Sequence, residues 1–348
     1  MTEHQHTKQE YPATSVVIPC YGCAGTISTV LEALLNQTIK PFEIIVVNDA
    51  SPDALKEALA PFMQHIVYVE HDFNKGLAQS YNSGLEKAKA PYVFTLHADC
   101  ILDPDYIERL LIHMESDKTL GAATGQYLFE HIERMAFSDR MFMILNRIPV
   151  ETDRSDQSVR PIHFIEGKAD IFRRDRIAQY GFFNTRLHLT GEDQELSARM
   201  RADGLKLIQD ARCRFRVMFT DTSSSLEKIL RKQRTYARGQ AYIILAFGKR
   251  AFDQTSPNRL SRMWHRLSQL IYAITTLGLL VGGFTLHTMC FWLAALLTLA
   301  RAVWYFAIGN PFSWKDRLCA ACIGPIGDFY YLAGSVEGLF KKVVFKKT

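Results

Sequence analysis

The sequence predicts an α/β protein: a doubly wound, mainly parallel sheet, then a C-terminal helical hairpin apolar enough to cross a bilayer, then an interfacial segment. Three observations predict it. Short β-rich runs alternate with amphipathic helical stretches from Tyr11 to about Tyr127, the pattern of strand–helix–strand units. The helical stretches open on recognisable start signals. Beyond Arg266 the composition turns almost wholly apolar, and residues 267–308 hold one charge, Arg301.

Taken in order, residues 1–13 are polar, with no basic start leading into an apolar run, so the domain that follows is expected on the synthesis side of any membrane. Ser15–Pro19, Glu43–Val47, Ile66–Glu70 and Tyr92–Leu96 are short, apolar and bounded by turn residues, as buried parallel strands are. Thr26 is placed to cap a helix running to Asn36. Ser51-Pro52 and Asp103-Pro104 each pair an N-cap residue with proline at the first helical position, the second ahead of a helix over Tyr106–Met114. A sheet wound in this way gathers ligands at the carboxyl ends of its strands. Residues 126–160 are polar and irregular around one helical stretch, Glu133–Arg147. Strands return between Arg160 and Phe219, with a strongly patterned helix at Glu192–Ala202, and a long helix follows over Leu226–Phe247.

Leu267–Leu286 and Thr288–Ile308 are each as long as a bilayer core demands, about twenty residues. Arg301 lies within two turns of the second span's end, where it is expected to snorkel. Between Glu227 and Arg266 ten basic residues face two acids, and Lys341, Lys342, Lys346 and Lys347 crowd the C-terminus. Both flanks of the hairpin are therefore expected in the cytoplasm. Leu318–Phe340 is apolar but carries Pro325, Asp328 and Glu337, and reads as an interfacial or re-entrant segment. The resulting boundaries are a tail over 1–13, an α/β domain over 14–250 with halves 14–125 and 126–250, a basic linker over 251–266, two spans within 267–308, and the interfacial segment with its basic end over 309–348.

Overall composition narrows the class. Apolar residues make up 48% and charged residues 22%, ordinary globular values, and a net charge of +5 is too small to imply a nucleic-acid partner. The seven cysteines are odd in number and scattered, which fits a reducing compartment. Cys20/Cys23 and Cys319/Cys322 both read C-x-x-C, but the second pair lies in an apolar stretch. All four are expected to be small buried hydrophobes, not zinc ligands.

Carboxylates stand where strands end. Asp49, after the second strand, is placed to accept hydrogen bonds from a nucleobase or ribose, or simply to shape a turn. Asp99, after the fourth, can hold a divalent cation through hard oxygen ligands or be solvated on a loop. Glu192 and Asp193, opening a helix, can deprotonate an acceptor hydroxyl or merely favour a helix N-terminus, a contribution of about 0.3–1 kcal/mol. Their order and spacing favour the chemical reading. A G-x-G-x-x-G turn is missing after the first strand, where the chain runs Pro-Cys-Tyr-Gly-Cys-Ala-Gly, which argues against a dinucleotide-dependent dehydrogenase.

Over roughly residues 14–240 the chain resembles the family 2 glycosyltransferases with the GT-A fold. The resemblance rests on Ser-Val-Val-Ile-Pro-Cys-Tyr (15–21), Gln37-Thr38, Ile-Ile-Val-Val-Asn-Asp-Ala-Ser (44–51), Asn74-Lys-Gly76, Asn82-Ser-Gly84 and Leu-His-Ala-Asp (96–99). Gly-Lys-Ala-Asp-Ile-Phe-Arg-Arg (167–174), Gly181-Phe-Phe and Gly-Glu-Asp-Gln-Glu-Leu-Ser-Ala-Arg (191–199) resemble that family's acceptor and base segments. The resemblance implies a pocket for a UDP- or GDP-sugar involving Pro19, Tyr21, Asp49, Asn74, Gly76 and Ala98. It also implies a metal carboxylate at Asp99, a catalytic base at Asp193 with Glu192 beside it, and inversion at the anomeric carbon.

Three departures qualify it. His97 stands at the first acid of the metal motif, which favours Mn²⁺ over Mg²⁺ because imidazole suits the softer ion. Gly22 replaces an asparagine. Gln233-Arg-Thr-Tyr-Ala-Arg-Gly replaces the Q-x-x-R-W of processive synthases, though Arg234 or Arg238 is still placed to grip a diphosphate. The expected activity is transfer of one sugar to a lipid-linked or envelope-polysaccharide acceptor at the cytoplasmic membrane face. The alternatives are a polyprenyl-phosphate sugar synthase and a non-catalytic nucleotide-binding membrane module.

Overall fold

The computed structural model describes residues 13–41, 43–128, 132–148, 154–187, 191–218, 225–248, 259–285, 287–309 and 311–345. The polar tail up to residue 12 and linker residues 251–258 lie outside the described residues. The strands are β1 (Thr14–Cys20), β2 (Glu43–Asn48), β3 (Ile66–Glu70), β4 (Tyr92–Leu96), β5 (Cys100–Leu102), β6 (Leu120–Tyr127), β7 (Val159–Pro161), β8 (Ala169–Arg173) and β9 (Lys206–Val217). They form one sheet in the order β3-β2-β1-β4-β8-β6-β9-β5, with β7 on β9. The β3-β2-β1-β4 half is parallel, as its buried apolar runs predict. Beyond it the sheet is mixed: β8 runs antiparallel to both β4 and β6, while β6 and β9 are parallel.

The helices are α1 (Ile27–Leu35), α2 (Leu55–Leu59), α3 (Leu77–Lys87), α4 (Tyr106–Ser116), α5 (Phe137–Asn146), α6 (Arg174–Gln179), α7 (Glu192–Ala202), α8 (Leu226–Phe247), α9 (Arg259–Thr285), α10 (Met289–Ile308) and α11 (Trp314–Phe345). Every residue of β1 is buried, and alternation splits its side chains between two layers. Val16 and Ile18 pack with α1 and α4 through Leu31 and Leu110; Val17 packs with α3 and α7 through Tyr81, Leu85 and Leu196.

Three start signals act differently from expectation. Thr26 does occupy the N-cap position of α1, yet its hydroxyl donates to the Ala98 carbonyl (2.7 Å) and caps nothing. Ser51 spends its hydroxyl on Asp53 (2.6 Å), and α2 begins only at Leu55. After Asp103 a turn closes from Tyr106 N to the Asp103 carbonyl (3.1 Å), so Asp105 takes the N-cap position in place of Asp103, while α4 begins at Tyr106 as expected.

Two helices, Met263–Thr285 and Met289–Ile308, are long and apolar enough to cross a membrane. Ile274, Phe284, Trp292 and Leu296 project outward from them. The stretch read as interfacial or re-entrant forms one unbroken helix, α11, with Pro325 inside it. α11 lies along α8 so closely that a Cβ on Gly334 would stand 2.0 Å from the Arg234 carbonyl, so only glycine fits that seam. Arg301 does not snorkel. It is buried, donates to Asp328 of α11 through Nε (2.7 Å) and to Ser268 of α9 through Nη1 (3.0 Å), and Tyr305 donates to the other Asp328 oxygen (2.5 Å). A cation away from water is held by an opposite charge when one is in reach, and α11 brings it there.

The seven cysteines are free thiols. Of the four expected to be small buried hydrophobes only Cys20 is buried: Cys23 and Cys319 are half-buried and Cys322 is exposed, because Cys23 lies in the loop after β1 and the other two lie on α11.

Candidate functional site

The site is assembled at the carboxyl ends of β1, β2 and β4, where backbone ladders stop and side chains turn outward. After β4 the chain makes a tight turn, with Cys100 N donating to the His97 carbonyl (3.2 Å). That turn sets His97 Nδ1 3.9 Å from Asp99 Oδ1. The Cys100 thiol donates to the same carboxylate (3.4 Å), and the three candidate ligand atoms lie within 4.8 Å of one another. Burial above all, then the nearby Lys168 ammonium, pulls the His97 imidazole down to about 4 against the opposing pull of Asp99. The ring is therefore neutral near pH 7 and keeps a lone pair. A neutral imidazole beside a carboxylate fits a divalent cation of intermediate softness. Cys100 escaped the sequence reading because it resembles any apolar strand residue.

Asp193 approaches from the opposite wall. Gly191, at φ +95, turns the chain into α7 and places Glu192 and Asp193 in its first turn. Asp193 lies against Gly167, where a Cβ would come within 3.3 Å of its Oδ2. The next residue, Lys168, accepts a hydrogen bond at its carbonyl from His97 N (2.9 Å). Gly167-Lys168 is thus the bridge between the base and the metal turn. Tyr81, buried on α3, reaches both: its ring is stacked with His97 at 6.4 Å between centroids, and its hydroxyl donates to the Gly167 carbonyl (3.4 Å). Burial first, then Glu192, raises the Asp193 carboxyl well above its ordinary range. Burial likewise raises Glu192, whose Oε2 has no hydrogen-bond partner. α8 steadies this wall, since Gln240 donates to Gln194 (2.8 Å).

The remaining expected residues fall differently. Pro19 is buried in β1, one residue before its end at Cys20, and Tyr21 beyond is 56% exposed, which leaves its ring free to meet a planar base. Asp49 is buried, and both its oxygens are taken. Oδ1 lies 2.7 Å from His71 Nδ1 and accepts from Lys75 N (2.8 Å), and Oδ2 accepts from Gly76 N (2.9 Å). Its role here is to hold the Asn74–Gly76 turn at the head of α3. Ala98 anchors the metal turn to Thr26. Arg234 is paired with Glu337 of α11, and the Arg238 carbonyl faces Gly338 of that helix. The seam between α8 and α11 draws the Arg234 side chain there.

Asp170 was not singled out in the sequence. It is wholly buried on β8, both its oxygens lack a partner, and the Thr124 hydroxyl that would hold its charge down is directed at the Ala169 carbonyl (3.3 Å). Burial above all raises it to about 7 from an ordinary 3.8. The native state thus keeps a proton that the unfolded chain releases near pH 4, so this group lowers stability progressively from about pH 4 to pH 7 and fully above that. Asp170→Asn is expected to melt several degrees above the parent at pH 8, with the gap closing toward pH 4. Thermal scans across that range check it, and a gap that widens on acidification would contradict the assignment.

Residues 15–181 match the family described as Glycosyl transferase family 2. Among curated relatives, "Putative glycosyltransferase EpsH" of Bacillus subtilis (strain 168) is 36% identical over 104 residues, covering 29% of this chain and 30% of that one. Poly-beta-1,6-N-acetyl-D-glucosamine synthase of Staphylococcus aureus (strain MSSA476) is 24% identical over 200 residues, 57% of this chain and 48% of that one. The chain therefore spans less than half the length of these relatives. Among solved structures, mannosyltransferase PcManGT from Pyrobaculum calidifontis, in complex with GDP-Man and Mn²⁺, superposes with a TM-score of 0.62 at 18% identity, over 96% of this chain and 89% of that one. That likeness establishes a shared fold, the curled mixed sheet of the GT-A type.

Proposed function

Residues 15–181 belong to glycosyl transferase family 2, and on that premise we propose that this chain transfers one sugar, with inversion, from a nucleotide-sugar donor to a lipid-linked or polysaccharide acceptor at the cytoplasmic face of a membrane. One observation carries the reading: the metal-suited group at His97, Asp99 and Cys100 and the carboxylate of Asp193 meet across the two residues Gly167 and Lys168. His97 and Asp99 would hold a divalent cation, whose charge would offset that of the leaving diphosphate. Asp193 takes the proton of the acceptor hydroxyl as that oxygen attacks the anomeric carbon, and its raised carboxyl brings its basicity toward working pH. Tyr21 stacks on the base, while Asp49 keeps Asn74 and Gly76 in place at the rim of the pocket.

The outward apolar faces of α9 and α10 are read as lipid-facing, and the basic residues around α8 and the C-terminus as cytoplasmic. Single-sugar transfer is supported by the Gln233-Arg-Thr-Tyr-Ala segment and by the pairing of Arg234 with Glu337. The relatives named for poly-N-acetylglucosamine make UDP-N-acetylglucosamine the first donor to try. A screen of UDP- and GDP-sugars against the full chain with membrane lipids is expected to find one donor whose nucleotide is released in Mn²⁺ and not in EDTA. Nucleotide binding that needs no metal, with no donor consumed, would instead favour a non-catalytic membrane module.

A further inference from the structure

A leaving diphosphate needs a protein cation beside the metal, and of the two arginines sought on α8 Arg234 is paired with Glu337 of α11. The structure offers another. Lys168 follows Gly167 on the bridge between base and metal turn, and its carbonyl holds His97 N (2.9 Å). Its stem crosses the Tyr127 ring, with Nζ 5.6 Å from the centroid, and that ring is itself stacked on Phe215 at 5.5 Å. The side chain is half-buried, and among the described residues Nζ has no hydrogen bond or ion pair, only the Tyr127 ring. An ammonium held on an aromatic shelf, near Asp99 and Glu166 but directly paired with neither, and beside a group suited to a metal, is placed to meet an anion.

The charge balance points the same way. A metal-bound imidazole is neutral and burial keeps the Cys100 thiol protonated, so for a cation held by His97 and Asp99 only Asp99 brings a full charge, which offsets half of a divalent cation. Lys168 adds one positive charge, and the sum suits the two negative charges of an esterified diphosphate. A second carboxylate at position 97 would have cancelled that surplus. We infer that Lys168 is a substrate-binding residue that grips the diphosphate of the donor, the part first sought at Arg234 or Arg238. The inference rests on the glycosyltransferase reading and names the protein group at its leaving-group end.

The test uses the full chain in detergent, with Mn²⁺ alone and Mn²⁺ plus inorganic pyrophosphate as probes, followed by calorimetry. Lys168→Met keeps the stem over Tyr127 and removes the charge. It is expected to weaken pyrophosphate binding in Mn²⁺ about ten- to hundredfold, the worth of one charged hydrogen bond, while Mn²⁺ alone binds as in the parent or tighter. Lys168→Arg is expected to bind pyrophosphate within a few-fold of the parent. Two results overturn the inference: parental pyrophosphate affinity in Lys168→Met, or an equal loss of Mn²⁺ and pyrophosphate binding, which would mean that Lys168 only shapes the metal turn. If either occurs while the parent still releases nucleotide in Mn²⁺, the transferase reading stands and Lys168 alone is misassigned. A parent that binds no pyrophosphate in Mn²⁺ and consumes no donor removes both.

Discussion

Asp193→Asn is expected to cut sugar transfer to a hydroxyl acceptor by about 10²–10⁴-fold, the usual worth of a positioned general base. The substitution keeps size and the hydrogen bond from Gln194 N (2.8 Å), so the donor's KM and the Mn²⁺ dependence should hold while kcat falls. The pH profile carries a second signature. A base works only when ionised, and burial together with Glu192 raises Asp193 well above the ordinary carboxylate range. Parental kcat/KM is therefore expected to fall on acidification through a pH higher than an ordinary aspartate would give, and Asp193→Asn to lose that limb. Asp99→Ala should abolish metal-dependent turnover whatever the acceptor. Full activity in Asp193→Asn, together with loss in Asp99→Ala, would favour a polyprenyl-phosphate acceptor, which is already anionic and has no proton to surrender.

How far the sequence foretold this arrangement depended on how local each feature is. The strands β1 to β4 and the helices α7 and α8 were legible nearly to the residue, because their periodicity and turn signals lie within the segments themselves. The helix start at Ser51 misled, since its hydroxyl accepts from Gly22 N, 29 residues away, and donates to Asp53 instead of capping a helix. Within the site, His97, Asp99, Glu192 and Asp193 stood out as short motifs at strand and helix ends. Cys100, Lys168, Tyr81 and Asp170 did not. Their meaning comes from neighbours on other elements: Tyr81 is defined by His97 and Gly167, and Lys168 by Tyr127 and the metal turn. Asp49 shows the same limit from the other side, because nothing near it in sequence announces that His71 and the Lys75 and Gly76 amides will take up both of its oxygens.

Arg301→Met is expected to destabilise the full chain in detergent by about 3–5 kcal/mol, the cost of leaving one partner of a buried ion pair uncompensated. Arg301 is 8% exposed and Asp328 fully buried, so neither can fall back on water. Position alone suggested an arginine reaching for the membrane surface, because its partner lies 27 residues on, in a segment that reads as interfacial. The pair instead ties α10 to α11, and Ser268 and Gln269 bring α9 into the same network through Arg301 and Tyr305. Replacing both charges, as in Arg301→Met with Asp328→Leu, removes the stranded carboxylate and should recover most of the loss. The contrast separates a charge problem from a packing problem: a cavity would make the double variant worse than either single one. Thermal unfolding of the three variants decides it. If Arg301→Met melts with the parent, Asp328 has found water, and α11 does not bury its acid against α10.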